Sequence, residues 1–303
     1  MLSTEMINSE SRWINVTDPV TSEQHELVDR YKVTQEMLNY AIDPFEKARV
    51  EIDPNEDIIL LIFDVYVPDS EASAPQTAPI GIMLTSSDLI TFITGETAFV
   101  EPIIAKKLKT IKSEHGDKLD LILAVLYQLS VDYLEPLRNI DTQRRNIQDN
   151  IRRRTGRRVI SESMEIETEL VYILTSLKGN ISLLEELKRR FGDSMTLKQR
   201  DDLDDITVEA QQGLEMAQMT SDVAERVSEA YTKVLDSDLN QTMKFLTVFS
   251  IVLSIPTIVS GFYGENVRLP LANSPFAWQL TILITLILMI ITVVFVLNRR
   301  WWH

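Results

Sequence analysis

The chain has 303 residues, a formal net charge of −15 and no cysteine. Without cysteine there are no disulfides and no thiolate metal sites of the zinc-finger kind, and the acidic balance argues against nucleic acid and for cations as small partners. About 240 residues precede the first strongly apolar segment, enough for a substantial core.

The amino terminus, Met1-Leu2-Ser3-Thr4-Glu5, lacks the basic-then-apolar pattern of a secretory signal, so the region behind it is expected to stay in the cytosol. Residues 12–16 predict a strand, and Thr17-Asp18-Pro19 leads into a helix with Ser22 as N-cap that runs to Tyr31. A second helix is predicted over 34–41. Four strands follow, at 48–52, 57–67, 80–84 and 89–94, the second carrying the run Ile58-Ile59-Leu60-Leu61-Ile62-Phe63 of a buried strand. Residues 68–76 read as a polar hairpin loop, and helix resumes over 100–107. Residues 1–117 therefore predict a cytosolic α/β domain, a mixed sheet packed by helices.

From residue 118 the pattern is helical. One helix is predicted over 119–151 and another over 161–191, with turns at Thr155-Gly156 and Gly192-Asp193, so that 118–195 forms a long helical hairpin. A third helix begins near Thr196 and meets no Gly-Pro stop before Pro256 apart from Gly213. It predicts a cytosolic stalk, 196–242, that continues into the membrane as one rod on the order of 100 Å long, stable only when packed against others. The hairpin turn is basic, with Arg144, Arg145, Arg152, Arg153, Arg154, Arg157 and Arg158. It is either a solvated tip or a surface for anionic headgroups or the acidic faces of neighbouring subunits.

Residues 243–263 and 276–297 predict two transmembrane helices, since roughly 20 apolar residues cross the hydrocarbon core. The loop 264–275 joins them outside the cell and 298–303 forms a basic and aromatic tail. Lys244 and Arg299-Arg300 outweigh the lone Arg268 of the loop, which places both termini in the cytoplasm. In the first span Asn240, Met243, Thr247, Ser250, Ser254, Thr257 and Gly261 recur in alternating steps of three and four, which keeps them on one face. That face either packs tightly through small residues or lines a wet path. Two helices cannot enclose such a path, so a path requires a symmetric ring of subunits.

The stretch Asn240-Gln241-Thr242-Met243-Lys244-Phe245-Leu246-Thr247 and the segment Gly261-Phe262-Tyr263-Gly264-Glu265-Asn266 before a second span resemble the CorA family of divalent-metal transporters. Trp13-Ile14-Asn15-Val16-Thr17-Asp18-Pro19 and the run from Ile58 to Phe63 sit where that family has its opening strand and a core strand. The resemblance implies a homopentameric funnel in the inner or plasma membrane. Its first span, Leu246 included, lines the pore, and a Gly-Met-Asn signature stands at the outer mouth. Here the signature reads Gly264-Glu265-Asn266, next to Tyr263. Magnesium releases its water shell reluctantly, so a ring of Asn266 oxygens would hold the hydrated ion, with Gly264 permitting a tight turn. Glu265 either concentrates cations at the mouth or ligates them directly.

The resemblance further implies that intracellular magnesium bridges subunits to close the channel, with Asp205 and Glu229 as the matching stalk positions. Magnesium is then both substrate and regulatory ligand, and no cofactor is implied. Cobalt, nickel and zinc are the competing substrates, although zinc prefers nitrogen or sulfur ligands that the pore face lacks. His25, His115 and His303 are too scattered for a metal triad, and no phosphate loop or Ser/His/Asp cluster suggests an enzyme. The alternative class is a membrane-tethered scaffold or sensor whose helices merely pack.

Overall fold

A computed structural model describes residues 2–53, 58–68, 77–149, 156–265 and 275–298. They fall into two compact units, residues 1–228 and 229–303, and each is described by itself.

The first unit is built on a six-stranded sheet: β1 (Leu2–Met6), β2 (Arg12–Thr17), β3 (Arg49–Asp53), β4 (Ile58–Tyr66), β5 (Thr77–Leu84) and β6 (Asp88–Ile93), in the order β1-β2-β6-β5-β4-β3. Only β2 and β6 pair in parallel, so the sheet is mixed. β4 is apolar on both sides and is covered on both. Ile58, Leu60 and Ile62 join Ile14, Val16, Met83 and Phe92 beneath α1 (Thr21–Tyr31) and α2 (Gln35–Ile42), whose Leu27, Met37 and Leu38 complete that layer. Leu61, Phe63 and Val65 join Trp13, Ile80 and Ile82 beneath α3 (Val100–Glu114) and α4 (Lys118–Val131). The same core takes in Leu183, Leu184 and Leu187 of α6 (Gly156–Phe191) and Leu203, Ile206 and Ala210 of α7 (Leu197–Tyr263). Thus α4, α6 and the first part of α7 share a core with the sheet. Gly81 lets α2 close on β5, because a Cβ there would stand 2.9 Å from the Ala41 carbonyl.

Several expectations are corrected. The α1 N-cap is Val20, not Ser22, and the Glu23 carboxylate accepts the Val20 backbone N–H at 3.1 Å. The helix expected over 119–151 is two helices, α4 and α5 (Leu134–Asp149), divided at Asp132-Tyr133. Pro136, in the first turn of α5, has no N–H for the Asp132 carbonyl, so the ladder cannot pass that point. Tyr133 uses the break to bury itself fully, its hydroxyl donating to the Asp64 carbonyl at 3.0 Å. The loop 69–76 and the tip residues 150–155 lie outside the described residues. Of the basic set, Arg144 is buried, donating to Asp141 from Nε (3.0 Å) and Nη2 (2.8 Å) and to Gln148 from Nη1 (2.8 Å). It belongs to the hairpin's interior rather than to an open basic surface, and Arg145 also pairs with Asp141.

At the end of β4 the sheet borrows a side chain. β3 reaches only as far as Ile62 on β4, which leaves the next outward-facing backbone groups, those of Asp64, without a strand partner. Asn180 of α6 replaces it, accepting from the Asp64 N–H at 2.9 Å and donating to the Asp64 carbonyl at 2.8 Å. Gly179 permits this approach, since a Cβ there would stand 3.0 Å from the Ala48 Cβ.

The second unit holds the carboxy-terminal part of α7 and α8 (Ala277–Asn298). Among the described residues these two helices alone are long and apolar enough to cross a membrane, and almost none of either span is buried. A soluble core helix would be covered; these present Phe245, Phe249, Ile258, Leu286 and Ile290 outward, as lipid-facing helices do.

Candidate ion-permeation face and outer mouth

The apolar part of α7 has a covered face and a polar stripe, which adjoin at the Lys244 end and part beyond it. Lys244, Val248, Val252, Ile255, Val259 and Tyr263, spaced by threes and fours, are with Pro256 the partly or fully covered positions, and Val259 is only 7% exposed. The less exposed positions of α8, among them Leu280, Ile284, Met289, Thr292 and Val296, likewise share one side. These two faces meet, leaving at the Lys244 end a cavity of about 440 Å³ lined also by Asn240, Met243, Thr247, Val248, Ile251, Thr292, Phe295 and Val296.

From Ser250 onward the polar stripe lies on another side of the helix, while Asn240, Met243 and Thr247 border the cavity. Asn240, Met243, Leu246, Thr247, Ser250, Ser254, Thr257 and Gly261 are all exposed, and an added Cβ at Gly261 would meet nothing within 4 Å. Small residues therefore do not serve to bring α8 against α7. Hydroxyls along the stripe donate back into their own helix: Thr247 to the Met243 carbonyl (2.8 Å), Ser250 to Leu246 (2.8 Å) and Ser254 to Ile251 (2.8 Å). Ser260 does the same to Pro256 at 2.7 Å, in the turn that follows the proline. With its hydrogen used, each hydroxyl has only lone pairs left for an outside partner. Thr247, Ser250 and Ser254 thus present acceptors along the stripe, and the hydrogens of water bound to a cation are donors.

At the end of α7 the chain passes through Gly264 and Glu265. The Gly264 N–H donates to the carbonyls of Ser260 (2.9 Å) and Gly261 (3.2 Å), and the Glu265 N–H reaches Phe262 at 3.4 Å. No glycine among the described residues has a positive φ, so the tight turn expected of Gly264 is not a left-handed one; the residue extends the last helical turn. Tyr263 is half-buried and stands edge-on to Phe262, with ring centroids 6.0 Å apart, while Glu265 is exposed. Asn266 and Arg268 lie outside the described residues.

Asp205 and Glu229 are both exposed, and Glu229 faces Lys233 at 3.9 Å. Among the described residues no three His, Cys, Asp or Glu side chains converge to hold a metal within one chain. The acidic start of α7 is nonetheless crowded: burial, with the charges of Asp120, Asp205 and Asp201, raises the Asp202 carboxyl above its ordinary value against the pull of Lys198.

A family model described as "CorA-like Mg2+ transporter protein" matches residues 8–300. The chain belongs to that family. It is 26% identical over 295 residues to a cobalt/magnesium transport protein CorA of Methanocaldococcus jannaschii, covering 96% of this chain and 90% of that one. A protein of the same description from Thermotoga maritima is 18% identical over 302 residues, covering 97% and 84%. The complete structure of the CorA magnesium transporter of M. jannaschii shares the fold, with a TM-score of 0.82 at 24% identity over 96% of this chain and 92% of the other. The CorA fold comprises the soluble α/β region, the long helix and two carboxy-terminal apolar helices found here, and the family moves divalent cations rather than catalysing reactions.

One group of residues escaped the sequence reading. Asp64, Tyr66, Tyr133, Glu169 and Asn180 form a polar seam between β4 and α6, beside which the Ser176 hydroxyl bonds to that of Thr77 on β5 at 2.9 Å. Its one signal in the sequence is a charge, Asp64, interrupting the apolar run of β4.

Proposed function

We propose that the chain is a passive divalent-cation channel of the cell membrane, with magnesium as its main substrate, cobalt and nickel as incidental ones and both termini in the cytoplasm. The observation that carries this reading is the exposed stripe of α7 with its hydroxyl acceptors, which from Ser250 onward lies apart from the face that meets α8. An exposed polar stripe is costly against lipid, and a homopentamer with its stripes turned to a common axis removes that cost. Magnesium keeps its water shell, and lone pairs from Thr247, Ser250 and Ser254 suit those waters. Both curated relatives being described as cobalt/magnesium transport proteins supports the same choice.

At the mouth, Asn266 makes first contact with the hydrated ion and Glu265 raises the local cation concentration. Repulsion among the acids of the α7 stalk, Asp205 and Glu229 included, makes intracellular magnesium a bridging ligand between subunits that favours closure. Uptake into proteoliposomes, measured in parallel for magnesium, cobalt, nickel and zinc, tests the reading. Magnesium flux down its gradient without an energy source is expected, and zinc flux exceeding magnesium would overturn the substrate assignment.

A further inference from the structure

Lys244 enters the apolar part of α7 with no counter-ion in reach. Its neighbours one turn away on the helix are Asn240, Gln241, Thr247 and Val248. The nearest acid before it, Asp238, lies about 9 Å down the helix and on another side, and the next after it is Glu265, past the far end of the span. α8 carries no Asp or Glu. Among the described residues none pairs with Lys244, which is half-buried. A second copy of α7 set beside the first at the same level would bring another Lys244 rather than a carboxylate.

The cavity at this end of the helix pair is polar at one side and apolar at the other. Thr247 and Thr292 donate into their own helices, to the Met243 and Leu288 carbonyls at 2.8 Å each, so the lining donors left for an outside group are the Lys244 ammonium and the Asn240 amide, one turn apart. Farther along α7 and across on α8 the walls are Val248, Ile251, Phe295 and Val296. The volume of about 440 Å³ falls in the ordinary range of ligand pockets. Just past Val296 the sequence runs into Arg299-Arg300. A cation and a donor at one end with hydrocarbon at the other match the headgroup and tail of a phospholipid.

We propose that this cavity binds an anionic phospholipid of the cytoplasmic leaflet, its phosphate on Lys244 and Asn240 and part of one acyl chain between Val248, Ile251, Phe295 and Val296. The site rests on the reading that α7 and α8 cross the membrane with Lys244 at the cytoplasmic side, and not on which ion moves. The phosphate supplies the counter-ion that these helices lack, and the acyl chain gives the apolar walls the contacts that a void would forfeit. An anionic lipid fits better than a zwitterionic one, because Lys244, Arg299 and Arg300 bring three positive charges per chain and a zwitterion carries an ammonium of its own. Asn240, Met243 and Thr247 of the polar stripe border the same cavity, so the lipid stands beside the first part of the stripe.

The test reconstitutes the full-length protein in phosphatidylcholine vesicles containing a minor share of phosphatidylglycerol. After gentle extraction, native mass spectrometry reads the mass of the assembly and the lipids retained per chain, and magnesium uptake is measured on the same vesicles. Phosphatidylglycerol should be retained at least about fivefold above its share of the vesicle lipid. Lys244→Arg should keep that enrichment, and Lys244→Gln should cut it to about twofold or less. Ile251→Trp should cut it likewise, since the exposed position 251 accepts the ring, the groove is filled and every charge stays in place. Equal retention of the two lipids, or an enrichment that survives Lys244→Gln, would overturn the proposal. So would an enrichment unmoved by Ile251→Trp, the mark of diffuse attraction to basic side chains without a groove. No retained lipid, together with an assembly that Ile251→Trp breaks apart, would give the cavity to a second copy and overturn it too. Magnesium uptake without a lipid preference fells the lipid site and leaves the transport reading standing, whereas the lipid preference in a protein that moves no cation fells the transport reading alone.

Discussion

Replacing Asn180 by Ala should be among the most destabilising single changes in the α/β unit. Asn180 is 1% exposed and makes two hydrogen bonds to the backbone of Asp64, at 2.9 and 2.8 Å. Without it the Asp64 carbonyl keeps the Tyr133 hydroxyl at 3.0 Å, but the Asp64 N–H is left with no partner where β3 has already ended. An orphaned buried donor costs about 1–3 kcal/mol and a lost hydrogen bond about 1 kcal/mol more, so the sum is about 2–4 kcal/mol. Tyr133→Phe is the internal control: it removes one bond from a carbonyl that Asn180 still serves, for about 1 kcal/mol. Denaturant unfolding of the full-length protein in micelles, followed by circular dichroism, measures both. Asn180→Ala within about 0.5 kcal/mol of wild type, or Tyr133→Phe costing the more, would refute the view that this side chain completes the sheet.

Asp64→Asn should stabilise the protein by up to about 3 kcal/mol at pH 7, the cost of holding a carboxyl near 6 rather than 3.8 in the folded state, and should flatten the decline in stability between those values; denaturant midpoints at two pH values check this. Gly81→Ala should cost about 1–3 kcal/mol, because its Cβ would stand 2.9 Å from the Ala41 carbonyl and backbone must move; the unfolding midpoint reports it. Asn266→Ala should abolish rapid magnesium uptake while the assembly keeps its mass, both read on the same preparation. Glu265→Gln should weaken apparent affinity most at low ionic strength; a reversed preference among magnesium, cobalt and nickel would instead assign Glu265 to direct ligation.

What could be read from the sequence was whatever depends on local pattern. The run from Ile58 to Phe63 announces a strand buried on both faces, and the alternating three-and-four spacing from Asn240 to Gly261 announces a face of α7. β1 escaped notice because four of its five residues are exposed and polar side chains carry no alternation to read. The division between α4 and α5 was hidden by good helix formers on both sides, with Pro136 as the signal that went unweighed. The Asn180 bridge joins residues 116 apart, and no local spacing encodes a side chain standing in for a strand. Arg144 shows the reverse error: a charge counted with a basic cluster turns inward to Asp141.

The central claim is that the stripe, not the face against α8, meets water and ions, and a chain with no cysteine is ready for the measurement. Single cysteines at Ser250, Ser254 and Thr257 on the stripe, and at Val248, Val252 and Val259 on the other face, would be treated with a charged, water-soluble thiol reagent during magnesium uptake into proteoliposomes. The account predicts that modification at the three stripe positions blocks uptake and that the three valine positions neither react nor respond. Block at the valines with an unreactive stripe would contradict it.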